Sequence, residues 1–285
     1  MFEIIFLLVL GFIWIIAATI QDLRKKEVAN WLNFSLIIFA LGFRFFYSLF
    51  SSNGFNFFFQ GLIGLGIFFI LGNIFYYSKI FAGGDAKLMI ALGTILPISN
   101  NFYFNLRYFA FFLLIFFFVG TIYGIIWSFI MLFKNTKTFV KKFKQIFNKN
   151  RNISFVIMLL GLFLMITGFY QFFLFLIGLF VFVAPYFFVY AKAIDESSMI
   201  RKINTKELRE GDWLYSRIKI GRKYIEPNWE GLSMKEIHDI RKKYRSVKIR
   251  QGVAFVPVFL ISFIIFVYGI LLGTRIFSCF FPGFF

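Results

Sequence analysis

Apolar runs close to the length needed to cross about 30 Å of hydrocarbon recur along this chain, at 2–20, 31–50, 57–78, 105–133, 172–190 and 253–273. Two shorter ones occupy 86–97 and 153–169. A water-facing surface cannot be assembled around them. Of 285 residues, 60% are hydrophobic and 49 are phenylalanine, well beyond the composition of a soluble globule. The chain therefore reads as an all-α polytopic membrane protein of about six to eight transmembrane helices, with a small α+β cytoplasmic domain. The first run has no basic n-region and no small-residue cleavage site, so it is expected to be a retained helix and not a signal peptide.

Loop charge sets the expected topology. The stretch 21–30 carries Arg24, Lys25 and Lys26, whereas 51–56 and 98–104 carry no charge. Basic loops stay in the cytoplasm, which puts the N-terminus outside. The alternation continues with 134–152, which has seven basic residues and no acid, an uncharged turn at Tyr170 and Gln171, and 191–252 with sixteen basic and nine acidic residues. Eight crossings satisfy the pattern, and so does a re-entrant hairpin over 153–190. The expected domains are a transmembrane domain at 1–190, a small cytoplasmic domain at 191–252 and a C-terminal transmembrane helix at 253–273. The net charge of +18 is accounted for by stretches that flank apolar runs and attract anionic membrane lipid, so no nucleic-acid partner is expected. A single cysteine, Cys279, excludes an intramolecular disulfide and a cysteine-based zinc site.

Within 191–252, the residues around Gly221 alternate as a hairpin does, and Ser233 to Glu236 form a capping box that opens a helix with Met234, Ile237 and Ile240 on one face. Pro257 either starts the last helix or kinks it. Gly61, Gly64, Gly66 and Gly72, and the pair Gly120 and Gly124, have the spacing of close helix packing. Arg44 and Arg107 sit inside or at the edge of apolar runs, where snorkelling to the interface explains them.

Two carboxylates stand out against this background. Asp85 follows Gly83 and Gly84 at the mouth of a hydrophobic helix, and Asp22 closes the first apolar run. An acid beside hydrocarbon is expensive and is presumed functional. Asp85 has a structural alternative as a helix N-cap; Asp22, at a helix C-terminal end, opposes the dipole and lacks one. By the expected topology both emerge at the cytoplasmic face. Two carboxylates within a few ångströms share one proton. The ionised member can then take a proton from water attacking a peptide carbonyl while its partner polarises that carbonyl. The chain offers no His/Ser pair and no usable cysteine, and its one histidine, His238, reads as a surface or satisfied helix residue. Gly83 and Gly84 are expected to let the backbone turn sharply and a substrate strand approach. Lys87 falls on a different helix face from Asp85 and reads as an orienting or lipid-headgroup contact. Gly211 and Asp212 read as a turn into a strand.

The stretch Asp22-Leu-Arg-Lys-Lys-Glu-Val-Ala-Asn30 resembles the first aspartate motif of the type IV prepilin peptidases, and Gly83-Gly84-Asp85-Ala-Lys-Leu88 resembles their GxGD motif, an idea shared with presenilin. Arg250-Gln-Gly-Val-Ala-Phe-Val-Pro257, after a small cytoplasmic domain, is similar to the archaeal branch, the preflagellin and archaeal prepilin peptidases. Two residues depart from pattern: Ala82 stands for the first GxGD glycine, and Ala29 for the proline before Asn30. The resemblance implies a membrane aspartic endopeptidase with catalytic Asp22 and Asp85 and motif support from Gly83, Gly84, Lys87 and Asn30, needing no metal and no cofactor. It implies as substrate the short basic leader of a pilin or archaellin precursor, cut at the cytoplasmic membrane face. Glu27, Glu207 and Glu210 are candidates to receive the leader's positive charge. With one cysteine the chain lacks the cysteine-rich zinc element of bacterial relatives, so peptidase activity without methyl transfer is expected. The competing readings are a proton-coupled secondary transporter, which would place acids near the bilayer midplane on broken helices, and a non-catalytic filament-assembly membrane protein, which needs no paired acids.

Overall fold

The computed structural model describes residues 2–51, 54–221 and 223–271. Cys279 and the last two residues of the expected 253–273 span lie outside the described residues. In chain order the elements are α1 (Phe2–Lys25), α2 (Asn30–Phe50), α3 (Asn56–Tyr77), α4 (Gly83–Leu92), α5 (Phe102–Lys134), α6 (Thr136–Lys149), α7 (Arg151–Thr167) and α8 (Phe172–Ile194). They continue with β1 (Ile200–Asn204), β2 (Trp213–Leu214), β3 (Ile218–Ile220), β4 (Lys223–Ile225), α9 (Met234–Lys243), β5 (Ser246–Arg250) and α10 (Val256–Leu271). Among the described residues six helical stretches are long and apolar enough to cross a membrane: α1, α2, α3, α5, Arg151–Tyr170 and Phe172–Met199. The chain is a multi-pass membrane protein that also carries a small strand-containing region. It divides into two compact units, one joining residues up to 124 with those from 253 on, the other 125–252.

In the first unit the run expected at 86–97 is helical only in part. Ten residues of α4 rise about 15 Å, half of the hydrocarbon thickness, and the chain then proceeds in turns. The whole run nevertheless lies antiparallel along α3. A Cβ on Gly72 would fall 3.0 Å from the Ala86 carbonyl oxygen, Gly64 faces the carbonyl of Gly93, and Asn56 Nδ2 donates to Asn100 O at 2.7 Å. Irregular backbone at membrane depth persists only where protein covers it and satisfies its polar groups. Arg44 does both. It is fully buried, with Nε donating to Thr94 O at 2.9 Å, Nη1 to Phe57 O at 2.9 Å, and Nη2 to Pro97 O. This corrects the snorkelling expectation for Arg44, because its acceptors lie 13 to 53 residues away in sequence and helical spacing does not report them. Arg107 is exposed. Beside this junction, Asn105 Nδ2 donates to Gln60 Oε1 at 2.9 Å and to Ser99 O at 2.7 Å.

The glycines divide accordingly. Gly61 packs on the Arg44 side chain, and Gly64 and Gly72 admit α4, whereas Gly66 and Gly124 face open space. The core of this unit gathers α1, α2, α4, α5 and α10 around Leu7, Leu36, Phe112, Phe259 and Phe263. Pro257 starts α10 as its second residue.

In the second unit, the basic stretch expected as a loop contains the helix α6. Its Phe139, Phe143, Ile146 and Phe147 pack with Val189, Tyr190, Ala193 and Ile194 of α8, and Lys142 pairs with Glu196 at 3.0 Å. Helices α7 and α8 touch through glycine: a Cβ on Gly161 would lie 2.5 Å from the Phe182 amide nitrogen, and one on Gly178 2.5 Å from that of Met165. The strand region has the order β1-β5-β2, all antiparallel, beside the separate hairpin β3-β4. Its core is Leu208, Leu214, Ile225, Leu232, Ile237, Ile240, Val247 and Ile249. The expected hairpin turns at Gly221, whose φ is 60°, and the capping box forms with Ser233 accepting from the Glu236 amide while Glu236 accepts from that of Ser233.

Candidate active site

Helix α1 ends where the Lys26 amide donates to Asp22 O at 2.7 Å and Lys26 itself adopts φ 56°. That left-handed residue at a helix end reverses the chain, and the Ala29 amide then bonds Gln21 Oε1 at 3.1 Å before α2 begins at Asn30. The tight connection turns Val28 inward, where it is buried. It packs on the start of α4: a Cβ on Gly84 would lie 3.5 Å from Val28 N and 3.6 Å from Val28 Cβ. Lys87, in the next turn of α4, donates from Nζ to Asn30 Oδ1 at 2.7 Å. The two aspartate motifs are thus joined by one backbone contact and one hydrogen bond, and Asp22 and Asp85 come close enough for their charges to interact.

Asp22 is 6% exposed and its Oδ2 accepts the Val256 amide at 2.9 Å. Val256 is the first residue of α10, so the carboxylate satisfies one of that helix's free N–H groups and meets the positive end of its dipole. The structural excuse that Asp22 lacks in its own helix is supplied by another, 234 residues away. Asp85 is half-buried, in the third position of α4, where the N-cap position belongs to Ala82 and carries no side-chain cap. Gly83 and Gly84 form the first turn of α4, and neither has a left-handed φ. The sharp turn expected of them is absent; what they leave is a helix start beside Asp85 without side chains of its own.

Aromatic packing fixes this end of the molecule. Phe81, 2% exposed, contacts Phe75, Phe116, Phe255 and Phe259, which ties the approach to α4 to the start of α10. Tyr123 Oη donates to Ala254 O at 2.7 Å, holding the segment that presents the Val256 amide. That amide is the member sequence reasoning missed; the only signal for it is Pro257, whose place at a helix start marks where free N–H groups lie.

Asp22, Asp85, Asn30, Lys87, Gly83 and Gly84 thus lie together. Glu27 is exposed on the same connection, Glu207 and Glu210 are exposed in the second unit, and His238 is exposed on α9. Among the described residues no three His, Cys, Asp or Glu side chains gather as a metal cluster would. The arrangement brings two carboxylate-bearing motifs from different helices against each other, with the Asp22 carboxylate held by a backbone amide.

Comparison with known proteins adds the following. Residues 9–127 match the Type IV leader peptidase family. A preflagellin peptidase of Methanococcus maripaludis is 29% identical over 134 residues, 45% of this chain and 57% of that protein. One of Methanocaldococcus jannaschii is 30% identical over 92 residues, 32% of this chain and 38% of the relative, and one of Methanococcus voltae is 27% identical over 141 residues, 46% and 59%. The chain spans about half the length of the curated relatives it matches. No solved structure matches it.

Proposed function

We propose that this chain, whose residues 9–127 match the Type IV leader peptidase family, is a membrane aspartic endopeptidase that removes the short basic leader from type IV pilin-like or archaellin precursors. Asp22 and Asp85 are its catalytic pair. The observation that carries this reading is the packing of the two aspartate motifs on each other from separate helices, through the Lys87 to Asn30 bond and the contact of Gly84 with Val28. The names of the relatives, all preflagellin peptidases, favour an archaellin precursor as substrate.

In the mechanism the ionised carboxylate takes a proton from a water held by the pair. The water oxygen bonds the scissile carbonyl carbon, whose oxygen is polarised by the protonated carboxylate. As the C–N bond breaks, the departing amine takes up the proton. Gly83 and Gly84 give the substrate backbone access to Asp85, and the Lys87 to Asn30 bond keeps the two motifs in register. The basic connection 21–30 supports a site at the cytoplasmic face, with the precursor's hydrophobic helix among the spans and its leader in the cytoplasm. Membrane lipid is the other partner, and nucleic acid is not one.

The test is cleavage of a basic-leader precursor in membranes by wild type, Asp22→Asn and Asp85→Asn. Asparagine at 22 still offers an oxygen to the Val256 amide, so the substitution removes the ionisable group and keeps the anchor. Each variant is expected to insert normally and to lose cleavage. Cleavage at wild-type rate by both would sink the aspartyl mechanism.

A further inference from the structure

We infer that α6 carries a binding surface for anionic lipid headgroups, with Lys137, Lys141 and Lys144 as its phosphate contacts. One residue, Asn135, joins α6 to the end of α5, and one, Asn150, joins it to the start of α7. Both neighbours belong to stretches long and apolar enough to cross a membrane. Phe133, the last apolar residue of α5, and Ile153, the first of α7, are 75% and 66% exposed, as side chains that meet lipid are. With each end one residue from a span, a helix of 14 residues, about 21 Å long, lies along the membrane surface and cannot stand away from it. Its contacts with α8 agree. Phe139 meets Tyr190 and Phe147 meets Tyr186, so eight residues of α6 match four of α8, and α6 lies aslant across the end of that span.

The apolar residues of α6, Phe139, Phe143, Ile146 and Phe147, are taken up by α8. Lys137, Lys141 and Lys144 stand at i, i+4 and i+7, within about 60° of one another around the helix, and all three are exposed. Like charges at that spacing repel and weaken a helix. Nothing in the protein relieves them: no acid occurs from Lys134 to Arg151, and the acids that follow α8, Asp195 and Glu196, are already paired with Arg250 at 2.9 Å and Lys142 at 3.0 Å. Among the described residues the three lysines form no ion pair and no hydrogen bond through their side chains.

Three unneutralised charges on one face, held at the depth of the headgroups, select an anion found at that depth, and lipid phosphate is the one a bilayer supplies. Lysine stems run along apolar surface to bring their ammonium groups to it, and basic segments beside a span are drawn to anionic lipid. Val140, 44% exposed between Lys137 and Lys144, adds the apolar edge by which an interfacial helix meets acyl chains. A basic leader peptide is repelled by the same charges, so this surface is separate from substrate capture and does not depend on the aspartyl reading.

The experiment is intact-complex mass spectrometry of the whole chain in zwitterionic detergent, titrated with phosphatidylglycerol or with phosphatidylcholine and read as the apparent Kd of the first lipid bound. Wild type is expected to bind phosphatidylglycerol about tenfold or more tightly than phosphatidylcholine. A variant combining Lys137→Gln, Lys141→Gln and Lys144→Gln is expected to lose about fivefold for each lysine that touched the headgroup, with a thermal midpoint no lower than wild type because a repulsion has gone. Arginine at the same three positions keeps the charge and is expected to keep the affinity. So is a variant with Lys206→Gln, Lys235→Gln and Lys242→Gln, which removes as many exposed cations from the strand region. An unchanged Kd in the first variant would overturn the inference, as would an equal loss in the last, which reports net charge alone. Loss in the arginine variant would mean that the lysines act on the fold and not on lipid. Displacement of the lipid by excess inorganic phosphate would assign the surface to free phosphate and overturn the lipid partner.

Discussion

Arg44 and Gly61 offer the sharpest test of how the first unit holds together. Arg44→Ala deletes three buried hydrogen bonds, to Thr94 O, Phe57 O and Pro97 O. Bonds from a charged donor are worth about 1.5–3 kcal/mol each, but removing the guanidinium also returns its desolvation cost, several kcal/mol. The net loss expected is about 3–5 kcal/mol, since three buried backbone carbonyls lose their donor at about 1–3 kcal/mol each. Gly61→Ala attacks the same contact from the opposite side, since its Cβ would lie 2.5 Å from Arg44 Cδ and 2.9 Å from Nε. Overpacking of that kind costs about 1–3 kcal/mol. In the Arg44→Ala background the obstructing atoms are gone, so Gly61→Ala should become nearly neutral, a coupling of about 1–3 kcal/mol. Equilibrium unfolding in mixed micelles measures all four corners of this cycle. Arg44→Lys should recover little, because one ammonium cannot reach three carbonyls that a planar fork meets. An Arg44→Ala cost under about 1 kcal/mol, or equal Gly61→Ala costs in both backgrounds, would refute the argument that this arginine closes the break after α4.

Two further outcomes follow from local geometry. Gly84→Ala adds a methyl at ordinary contact distance, 3.5 Å from Val28 N, so the thermal midpoint should not move. Lost cleavage with an unchanged midpoint then reports the approach of substrate to bare backbone, and a lowered midpoint contradicts the packing. Ser233→Ala removes the hydroxyl that accepts from the Glu236 amide and should cost about 1 kcal/mol, read as faster hydrogen exchange in α9; unchanged exchange there would argue against the capping box.

What could be read from sequence alone was what short-range physics writes. The long apolar runs, the hairpin at Gly221, the capping box at Ser233 and the turn at Gly211, whose φ is 88°, each depend on residues a few positions apart. Both aspartates and their companions Asn30 and Lys87 were legible for the same reason, as two compact motifs at run ends. The rest depends on partners that no local pattern names. Arg44 looked like an interfacial arginine because its acceptors arrive from 13, 50 and 53 residues away, and Asp22 looked uncapped because its amide donor is 234 residues downstream. The stretch 134–152 looked like a charged loop because its lysines hid an apolar face, Phe139, Phe143, Ile146 and Phe147, that only the surface of α8 makes visible.

The same contacts make the two ends of α4 mechanically unequal. After its last turn the chain is clamped by a fully buried guanidinium with three acceptors, and Gly64 and Gly93 bring the backbones of α3 and its continuation together. At its first turn α4 is held by the lysine-to-asparagine bond and the contact of Gly84 with Val28, both beside a half-buried Asp85. If the lighter contacts at its first turn yield, α4 tilts about the stronger clamp at its far end. From Thr94 to Asp85 the lever is about 13 Å long, so a pivot of roughly 5° carries the Asp85 end by about 1 Å, a displacement that changes rates by about a hundredfold in a positioned site. The Asp22 carboxylate cannot follow, being held by the Val256 amide. In the proposed mechanism, adjustment of the pair on substrate entry would fall to the α4 side. Arg44, at the fulcrum, should influence cleavage at a distance, and in Arg44→Lys a loss of kcat should outrun any change in KM.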